Sequence, residues 1–472
     1  MHSHKTLVGP PTFILCSWVS SASVILIVLA LYRSEDKPDL LSFLQHFEGA
    51  LLIGGVMSLL CSAIMAIHYG IRLQRHGKRP LRLALIWNLL PLILIITLAE
   101  VILRLSATDT PTGTMLWGKP LAPRRLPIVL NNSFLEPLLS FDETLGWTVA
   151  PNSSTSDGLY ISGERGIRTS KAGMRFGAGN APCRIALVGD SHTFGLELKF
   201  EETWSYLLER HLPECQVLNF GVSGYSLGQM YLRYRRDVLP FQPDIVILAL
   251  SSNSTNRTMG VYGLTMFPTG IPWAHPRFQI SDLSLTPINH PLPRLEEIRQ
   301  AKWVSDLPYI DYDRFFLPGK WELKRWRYLY NSYLFRLYIT RYSLGRRQQK
   351  GDSAETLNQA LLRAFLQTAE SSRSIPLLLY LPDKNDEKAV EGETPSLHIL
   401  RSSGFDYLHL RPCLNQVSSD KRFIPTGDHY SVQGSEAIAV CLMKHLASLR
   451  KKAHSKPLHR SDHQVPERET LP

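Results

Sequence analysis

The chain has 472 residues, 44% hydrophobic and 20% charged, with 52 Lys and Arg against 41 Asp and Glu and a net charge of +11. This length allows a membrane part and one sizeable folded domain. The chain contains no His-Glu-X-X-His motif, no Cys-X-X-Cys motif and no dense carboxylate cluster, so we expect neither a metal nor another cofactor.

Three apolar segments lie near the N-terminus, at residues 13–32, 49–69 and 83–103. Each has about the 20 residues that a helix needs to cross the hydrocarbon core of a membrane. A cleavable signal peptide would account for the first segment only. The sequence therefore predicts three transmembrane helices within residues 13–105, after a cytoplasmic N-terminus of residues 1–12.

The loops between these segments predict the orientation. The first loop contains the bases Arg33 and Lys37, whereas the second contains Arg72, Arg75, Lys78, Arg79 and Arg82. The positive-inside rule counts bases, so the second loop is expected in the cytoplasm and everything after residue 105 outside. We therefore expect a multi-pass inner-membrane protein with a periplasmic or equivalent extracytoplasmic domain. Anionic lipid headgroups or an anionic glycan, and not nucleic acid, are the expected partners there.

Beyond the predicted spans, residues 106–181 form a Pro- and Ser-rich linker in which residues 141–147 are expected to be ordered and most of the rest to form loops. Apolar runs then alternate with helical patterns. We predict strands at 184–188, 216–220, 244–250, 376–381 and 405–410, and helices at 201–212, 227–238, 354–371 and 434–450. This alternation predicts an α/β domain with a mostly parallel sheet over residues 182–450. Residues 254–350 are a long insertion, and 451–472 are a basic tail expected to be disordered.

Four cysteines fall in the predicted extracytoplasmic domain, at Cys183, Cys215, Cys413 and Cys441. An oxidising compartment permits disulfides, and four cysteines allow three connectivities. Cys183 and Cys215 begin predicted strands that should be neighbours, which favours a bond between them and, by remainder, one between Cys413 and Cys441. Four buried free thiols are the alternative.

A serine follows the first strand of this domain, where an apolar run leads directly into Gly189-Asp190-Ser191. Functional groups in open α/β sheets lie at the carboxyl edge, so Ser191 is placed where a nucleophile can be displayed. Alternatively, it only caps the following helix. A nucleophilic serine needs a base, a group that orients the base, and donors for the oxyanion. His429 lies in a turn-rich segment before the last helix and is the best base by position, although a lone loop histidine is more often a surface residue.

Together these segments resemble the SGNH (GDSL-type) hydrolases, serine esterases and acyltransferases with a flavodoxin-like three-layer fold. Gly189-Asp190-Ser191 matches the first block of that family. Gly224, in Asn-Phe-Gly-Val-Ser-Gly-Tyr-Ser, resembles the oxyanion glycine of the second block. Asn253 corresponds to the asparagine of the third block, although serines flank it here, and Asn256 is a rival. The resemblance implies that Ser191 N–H, Gly224 N–H and the Asn253 amide form the oxyanion hole.

The last block of the family places an Asp two or three residues before the catalytic His. In this chain those positions hold Gly427 and Thr426, and Asp428 directly precedes His429. The resemblance therefore implies a catalytic set of Ser191, His429 and Asp428, with Asp420 or a backbone carbonyl as alternatives to Asp428. Segments of the linker, including Leu-Gly-Trp at 145–147, are similar to those of a membrane-anchored bacterial branch.

The resemblance implies a membrane-anchored, extracytoplasmic serine esterase or O-acyltransferase acting on acyl (acetyl) esters of cell-envelope or secreted glycan. A membrane partner in polysaccharide export or modification would suit this role. The alternative is a non-catalytic SGNH-fold glycan-binding or scaffold protein. Residues 320–350 of the insertion are rich in aromatic residues and bases. They are interpreted as a glycan groove, as the core of the insertion, or as an amphipathic helix on the membrane surface.

Overall fold

The computed structural model describes residues 71, 93, 96–110, 113–124, 138–177, 181–267, 271–282, 284–322, 324–341, 349–388, 393–425 and 427–454. The chain divides into two compact units. The first, here called the insertion unit, comprises Met1–Phe134, Met259–His275 and Asn289–Gly351. The second, the sheet unit, comprises Leu135–Thr258, Pro276–Ile288 and Asp352–Pro472.

The described strands are β1 (Ala107–Thr110), β2 (Gly113–Leu116), β3 (Lys119–Pro120), β4 (Leu139–Asp142), β5 (Gly146–Val149), β6 (Cys183–Gly189), β7 (Cys215–Asn219), β8 (Ile245–Leu250), β9 (Phe278–Ser281), β10 (Ser284–Pro287), β11 (Ile375–Tyr380) and β12 (Tyr407–His409). The described α-helices are α1 (Ser191–Phe194), α2 (Trp204–His211), α3 (Leu227–Arg233), α4 (Ser254–Arg257), α5 (Gly263–Met266), α6 (Leu295–Gln300), α7 (Tyr333–Arg341), α8 (Ala354–Ser371), α9 (Lys384–Lys388), α10 (Pro395–Ser403), α11 (Arg411–Leu414), α12 (Ser419–Arg422) and α13 (Val432–His454). A π-helical turn, Tyr234–Val238, continues α3.

Among the described residues, no helix has both the length and the apolar character needed to cross a membrane. The N-terminus and the predicted spans at 13–32 and 49–69 lie outside these residues, as does most of the span at 83–103. Residues 96–106, at the end of that third segment, are helical. The last helix continues to His454, so the start of the predicted disordered tail is helical and the remainder lies outside the described residues.

Five strands of the sheet unit form a parallel sheet in the order β7-β6-β8-β11-β12. In chain order this is 2-1-3-4-5, the order of flavodoxin-like folds. The predicted α/β domain with a parallel sheet is confirmed. Every predicted strand is present, and α8 begins and ends where the pattern of residues 354–371 predicted.

Both faces of this sheet are buried, as a parallel sheet requires. Ile185 and Leu187 of β6 belong to a hydrophobic cluster shared with residues of α2 and α13. The alternate residues Ala186 and Val188 are equally inaccessible to solvent, on the face against which α3 packs. A fully buried aliphatic side chain contributes about 1.5–3 kcal/mol relative to an exposed one, so this double burial stabilises the strand that leads to Ser191.

Two disulfides join Cys183 to Cys215 and Cys413 to Cys441, which confirms the favoured connectivity. Cys183 and Cys215 pair directly in the register of β6 and β7, with Cα atoms 4.4 Å apart. The second bond ties α11 to α13, with Cα atoms 6.0 Å apart. Each cross-link stabilises the fold mainly by restricting the unfolded chain.

The linker contains more regular structure than its composition predicted. Strands β1, β2 and β3 form an antiparallel sheet in the insertion unit, whereas β4 and β5 form a hairpin in the sheet unit. Such short strands are not recognisable in a turn-rich sequence. Each has four residues or fewer, which is too few to show an alternation of apolar and polar residues.

The aromatic residues of the insertion unit contribute in part to its own core. Trp303, Tyr330 and Ile339 form a buried cluster, and Trp321 and Phe335 pack against it. In contrast, the Tyr328 side chain is 70% exposed. Part of this aromatic set therefore belongs to the core of the insertion, one of the three interpretations of residues 320–350.

Candidate active site

Ser191 lies at the first position of α1, directly after β6. Asp190 caps this helix by accepting a hydrogen bond from His192 N–H at 3.1 Å. A Cβ at Gly189 would collide with Thr193 Oγ1, so only glycine allows the strand to turn so tightly into the helix. Gly195 ends the helix in the left-handed conformation, with φ of 80°. The short helix thus holds Ser191 at the carboxyl edge of the sheet.

His429 bridges Ser191 and a carboxylate. Its Nε2 lies 2.9 Å from Ser191 Oγ, and its Nδ1 lies 2.8 Å from Glu197 Oε2. The segment that carries His429 is held by a bridge between Phe423 and Tyr430 and by the Ile424 N–H, which donates to His429 O at 2.9 Å. This succession of hydroxyl, imidazole and carboxylate, joined by two hydrogen bonds, is the arrangement that activates a serine nucleophile.

The predicted contact between Asp428 and His429 is wrong in this structure, because Glu197 occupies His429 Nδ1 and Asp428 is exposed. Asp420, the alternative acid, is exposed as well.

Gly427 explains how Glu197 reaches this position. A Cβ at residue 427 would collide with both carboxylate oxygens of Glu197. Residue 427 is two positions before His429, one of the positions where the SGNH resemblance places its aspartate. The carboxylate of Glu197 therefore fills the space that a side chain at 427 would need. Glu197 was missed in the sequence, and the glycine at 427 was the one signal of the substitution.

Glu197 itself is held by its backbone. It adopts a left-handed conformation, with φ of 69°, in the turn that begins at Gly195. Its N–H donates to Tyr160 Oη at 2.8 Å. The Glu197 side chain is 35% exposed and that of His429 17%, so the pair is partly open to solvent.

The three predicted oxyanion donors follow adjacent strands: Ser191 after β6, Gly224 after β7 and Asn253 after β8. Gly224 adopts a φ of 77°, which favours glycine. Within the described part of the chain, the backbone N–H groups of Ser191 and Gly224 donate to no protein acceptor, although both residues are buried. Buried N–H groups are rarely left unpaired, so these two are suited to an incoming oxyanion.

The hairpin β4–β5 braces the loop that carries Gly224. Trp147 Nε1 donates to Ser223 O at 2.9 Å, and Tyr225 Oη donates to Trp147 O at 2.7 Å. Gln229, at the start of α3, donates from Nε2 to Leu145 O at 2.8 Å. The Leu-Gly-Trp segment of the linker therefore positions Gly224, a role that its sequence did not reveal.

The serines that flank Asn253 serve as anchors. Ser252 donates through N–H and Oγ to Asp383, which follows β11, and Ser254 Oγ contacts Asp190 at 3.1 Å. Asn253 directly precedes α4 and is half-buried, whereas its rival Asn256 lies within that helix. The two departures from the third block, Ser251 and Ser254, thus both donate to Asp190 in the Ser191 turn, whereas Ser252 ties the Asn253 turn to the segment after β11.

A buried ion pair also stabilises this turn. Arg257 Nη1 lies 2.8 Å from Asp190 Oδ2 and donates to Tyr225 O at 3.0 Å. Burial by itself would raise the pKa of Asp190, but the His192 imidazole, the Arg257 charge and the Ser251 hydroxyl together hold that pKa well below its usual range. Asp190 is therefore a permanent anion that links the three loops of the site.

Two imidazoles lie side by side, with ring centroids of His192 and His429 4.9 Å apart. Burial lowers the pKa of His429, and the charge of His192 lowers it further, whereas Glu197 acts in the opposite direction. Burial also lowers the pKa of His192, but Asp190, 3.6 Å away, and Asp383 outweigh this and raise it. The environment therefore favours a neutral His429, the form that can accept a proton from Ser191.

No known family model matches the chain, and no curated protein matches it. Among solved structures, it is similar to a lipase/acylhydrolase from Enterococcus faecalis, with 13% identity over 57% of this chain and 96% of that one and a TM-score of 0.30. It is also similar to a member of the lipolytic protein G-D-S-L family from Veillonella parvula, with 9% identity, 56% and 98% coverage and a TM-score of 0.30. An acetylxylan esterase from Geobacillus stearothermophilus, crystallised as a catalytic mutant, matches with 12% identity, 58% and 96% coverage and a TM-score of 0.30. At these values the likeness carries no functional argument.

Proposed function

We propose that the chain is an SGNH-type serine esterase or O-acyltransferase. The observation that carries this proposal is the continuous contact from Ser191 Oγ through His429 to Glu197, together with two nearby backbone N–H groups, of Ser191 and Gly224, that meet no acceptor among the described residues. A structural serine or a surface histidine would need none of these arrangements. Neither a metal nor a cofactor takes part in the proposed reaction.

In the first step His429 Nε2 accepts the proton of Ser191 Oγ as the hydroxyl attacks an ester carbonyl. The negative charge that develops on the carbonyl oxygen is stabilised by Ser191 N–H, Gly224 N–H and the Asn253 amide. Glu197 keeps the proton of His429 on Nδ1 and stabilises the imidazolium. Loss of one oxyanion donor typically lowers kcat by about 10²–10³-fold, so these donors carry a large share of catalysis.

The imidazolium then donates its proton to the leaving alcohol as the ester C–O bond breaks, which leaves the acyl group on Ser191. In the second step His429 takes a proton from the acceptor hydroxyl as it attacks the acyl carbon, and returns that proton to Ser191 Oγ as the acyl–serine bond breaks. Water as the acceptor gives an esterase, and a sugar hydroxyl gives an O-acyltransferase. The proposed substrates are acyl, above all acetyl, esters of a cell-envelope or secreted glycan. The aromatic and basic content of residues 320–350 supports a glycan, because aromatic faces pack on sugar rings and bases attract anionic groups.

We further propose that three transmembrane helices within residues 13–105 anchor the chain in the inner membrane and that the site is periplasmic. The apolar segments and the basic second loop support this orientation. Alkaline phosphatase fused after residue 105 should be active, and phosphatase fused after Arg79 inactive. The reverse pattern would place Ser191 in the cytoplasm.

The enzymatic proposal is tested with p-nitrophenyl acetate and a fluorophosphonate probe on the full-length protein. We expect turnover and labelling that disappear in Ser191→Ala and fall strongly in His429→Asn. Activity that is unchanged in Ser191→Ala, or no labelling at all, would favour the non-catalytic glycan-binding or scaffold alternative. Supplying an acyl donor with an oligosaccharide separates the two reactions, since acylated sugar identifies a transferase and free acid alone an esterase.

A further inference from the structure

The insertion unit contains a cavity of about 260 Å³ that is separate from the Ser191 site in sequence and in lining. Its wall combines basic and aromatic side chains, including Lys119, Arg124, Arg314, Arg341, Phe316 and Trp321. Every residue of the lining belongs to the insertion unit. The cavity is therefore a feature of that unit alone.

The charge of the lining is strongly one-sided, with four cations against one carboxylate, Glu322. The Glu322 carboxylate is already engaged, because its Oε1 accepts from Gly319 N–H at 3.0 Å. Within the described residues, Lys119, Arg124 and Arg314 form no ion pair, and the Arg124 guanidinium lies 5.7 Å from the Phe316 ring centroid. A concave site lined by one sign of charge concentrates the opposite charge, so an anion is favoured here.

Trp321 provides a directional donor beside these charges. Its Nε1 is buried and has no hydrogen-bond acceptor among the described residues. The ring is held in place by edge contacts with Trp326 at 4.7 Å and with Phe335 at 6.0 Å between centroids. A buried donor left unpaired costs about 1–3 kcal/mol, so an acceptor supplied by a ligand would recover that free energy.

We propose that this cavity binds a carboxylate-bearing sugar, such as a uronate residue, of an anionic polysaccharide. Guanidinium groups match a carboxylate in charge and in geometry. The aromatic side chains offer faces on which the apolar C–H face of a sugar ring can pack, and the Trp321 indole offers a donor to a ring hydroxyl. This inference rests on the proposed function, because it names the kind of glycan on which the proposed enzyme would act. Binding of the sugar itself requires no turnover.

The test uses full-length Ser191→Ala protein in detergent, titrated calorimetrically with trigalacturonate and with its carboxyl-reduced, neutral counterpart. We expect the acidic trisaccharide to bind at least about tenfold more tightly, since a charge-assisted hydrogen bond contributes roughly twice as much as a neutral one. Added salt should weaken the acidic ligand selectively because it screens the exposed cations. Equal affinity for the two trisaccharides would overturn the proposal without any cavity variant being needed.

Cavity variants then locate the binding site. In the Ser191→Ala background, combined Arg124→Gln and Arg314→Gln should weaken trigalacturonate about 10- to 100-fold, and Trp321→Phe, which keeps an aromatic ring but removes the N–H, about 3- to 10-fold. Arg299→Gln is the matched control, because Arg299 is an exposed cation of the same unit that does not line the cavity. Unchanged binding in the double variant, or an equal loss in the control, would refute the assignment.

Two further measurements distinguish this inference from a lipid-binding site and from the enzymatic proposal. Binding to vesicles of phosphatidylcholine with phosphatidylglycerol that is lost in the double variant, with no binding of trigalacturonate, would identify a lipid site and overturn the sugar proposal. Hydrolysis of p-nitrophenyl acetate by the protein with Ser191 intact is measured in parallel. Trigalacturonate binding without hydrolysis would refute only the enzymatic proposal, and hydrolysis without binding would refute only the cavity assignment.

Discussion

Replacing Glu197 with Gln tests the proposal that this residue, and not Asp428, orients His429 as the base for Ser191. The substitution keeps the size of the side chain and removes the charge that lies 2.8 Å from His429 Nδ1. Gln can also donate to Nδ1 and thereby favour the wrong tautomer. In serine proteases, the equivalent loss of charge lowers kcat by about 10⁴-fold.

A smaller effect is expected here because the pair is partly open to solvent, with Glu197 35% exposed. Solvent screening weakens the attraction between the carboxylate and the imidazolium. We therefore expect kcat/KM for p-nitrophenyl acetate to fall by about 10²–10³-fold in Glu197→Gln, equivalent to about 2.7–4 kcal/mol of transition-state stabilisation. The value of KM should change little, because the interaction strengthens as the imidazole becomes charged.

The matched control is Asp428→Asn, which alters the neighbouring exposed acid that the sequence favoured. We expect its kcat/KM to stay within about twofold of the parent, since an exposed charge that pairs with no described residue contributes little. A second variant adds a carboxylate at residue 427, one of the positions where the SGNH resemblance places an aspartate. Glu197→Ala removes the side chain that a Cβ at 427 would strike, so adding Gly427→Asp should recover part of the activity that Glu197→Ala loses. A large loss in Asp428→Asn together with a loss below about threefold in Glu197→Gln would refute the reasoning.

Three more predictions concern the surroundings of the site. His192→Asn removes a charge that lowers the pKa of His429, so that pKa should rise and the acid limb of the kcat/KM profile should move to higher pH. Arg257→Gln leaves the buried Asp190 without its ion-pair partner and should cost about 3–5 kcal/mol of unfolding free energy, measured by urea denaturation. Gly224→Ala places a side chain at a φ of 77° and disturbs a proposed oxyanion donor. It should lower kcat about 10²-fold or more, while the fluorophosphonate probe should still reach Ser191.

Each of these predictions has a distinguishing control. An acid limb that stays in place or moves to lower pH in His192→Asn would show that the two imidazoles do not interact. Arg401→Gln breaks an exposed pair with Glu393 and should cost less than about 1 kcal/mol, so an equal loss in both arginine variants would contradict the role of burial. A Gly224→Ala protein with normal turnover would remove Gly224 from the oxyanion hole.

The framework of the sheet unit was predictable because each of its strands is a short apolar run between turn residues. The same reason allowed four site residues to be identified from the sequence, because each lies at the end of a predicted strand or the start of a predicted helix. These residues are Ser191, Gly224, Asn253 and His429. The pairing of Cys183 with Cys215 followed from the adjacency of the strands that they begin. Local pattern and strand order together carried these inferences.

The contacts that were missed join segments for which no local pattern exists. Glu197 is 232 residues away from His429 in sequence, and an acidic residue after a glycine turn has no distinctive signature. Arg257 and Trp147 likewise matter only through distant partners. Arg257 pairs with the buried Asp190, and Trp147 donates to the carbonyl of the residue before Gly224. Side-chain partners depend on three-dimensional packing, so composition and periodicity did not identify these residues. The glycine at 427 was the only local trace, and it signalled an absent side chain without saying what replaced it.

The position of Glu197 changes how the site is held together. In the arrangement that the SGNH resemblance implies, the histidine and its acid lie two or three residues apart in one loop. Here His429 makes both of its hydrogen bonds to one short segment, through Ser191 and Glu197. A displacement of the histidine loop therefore weakens both bonds together. Lys384, which donates to Ile424 O at 2.9 Å and also to Gly427 O, is placed to hold this loop in position.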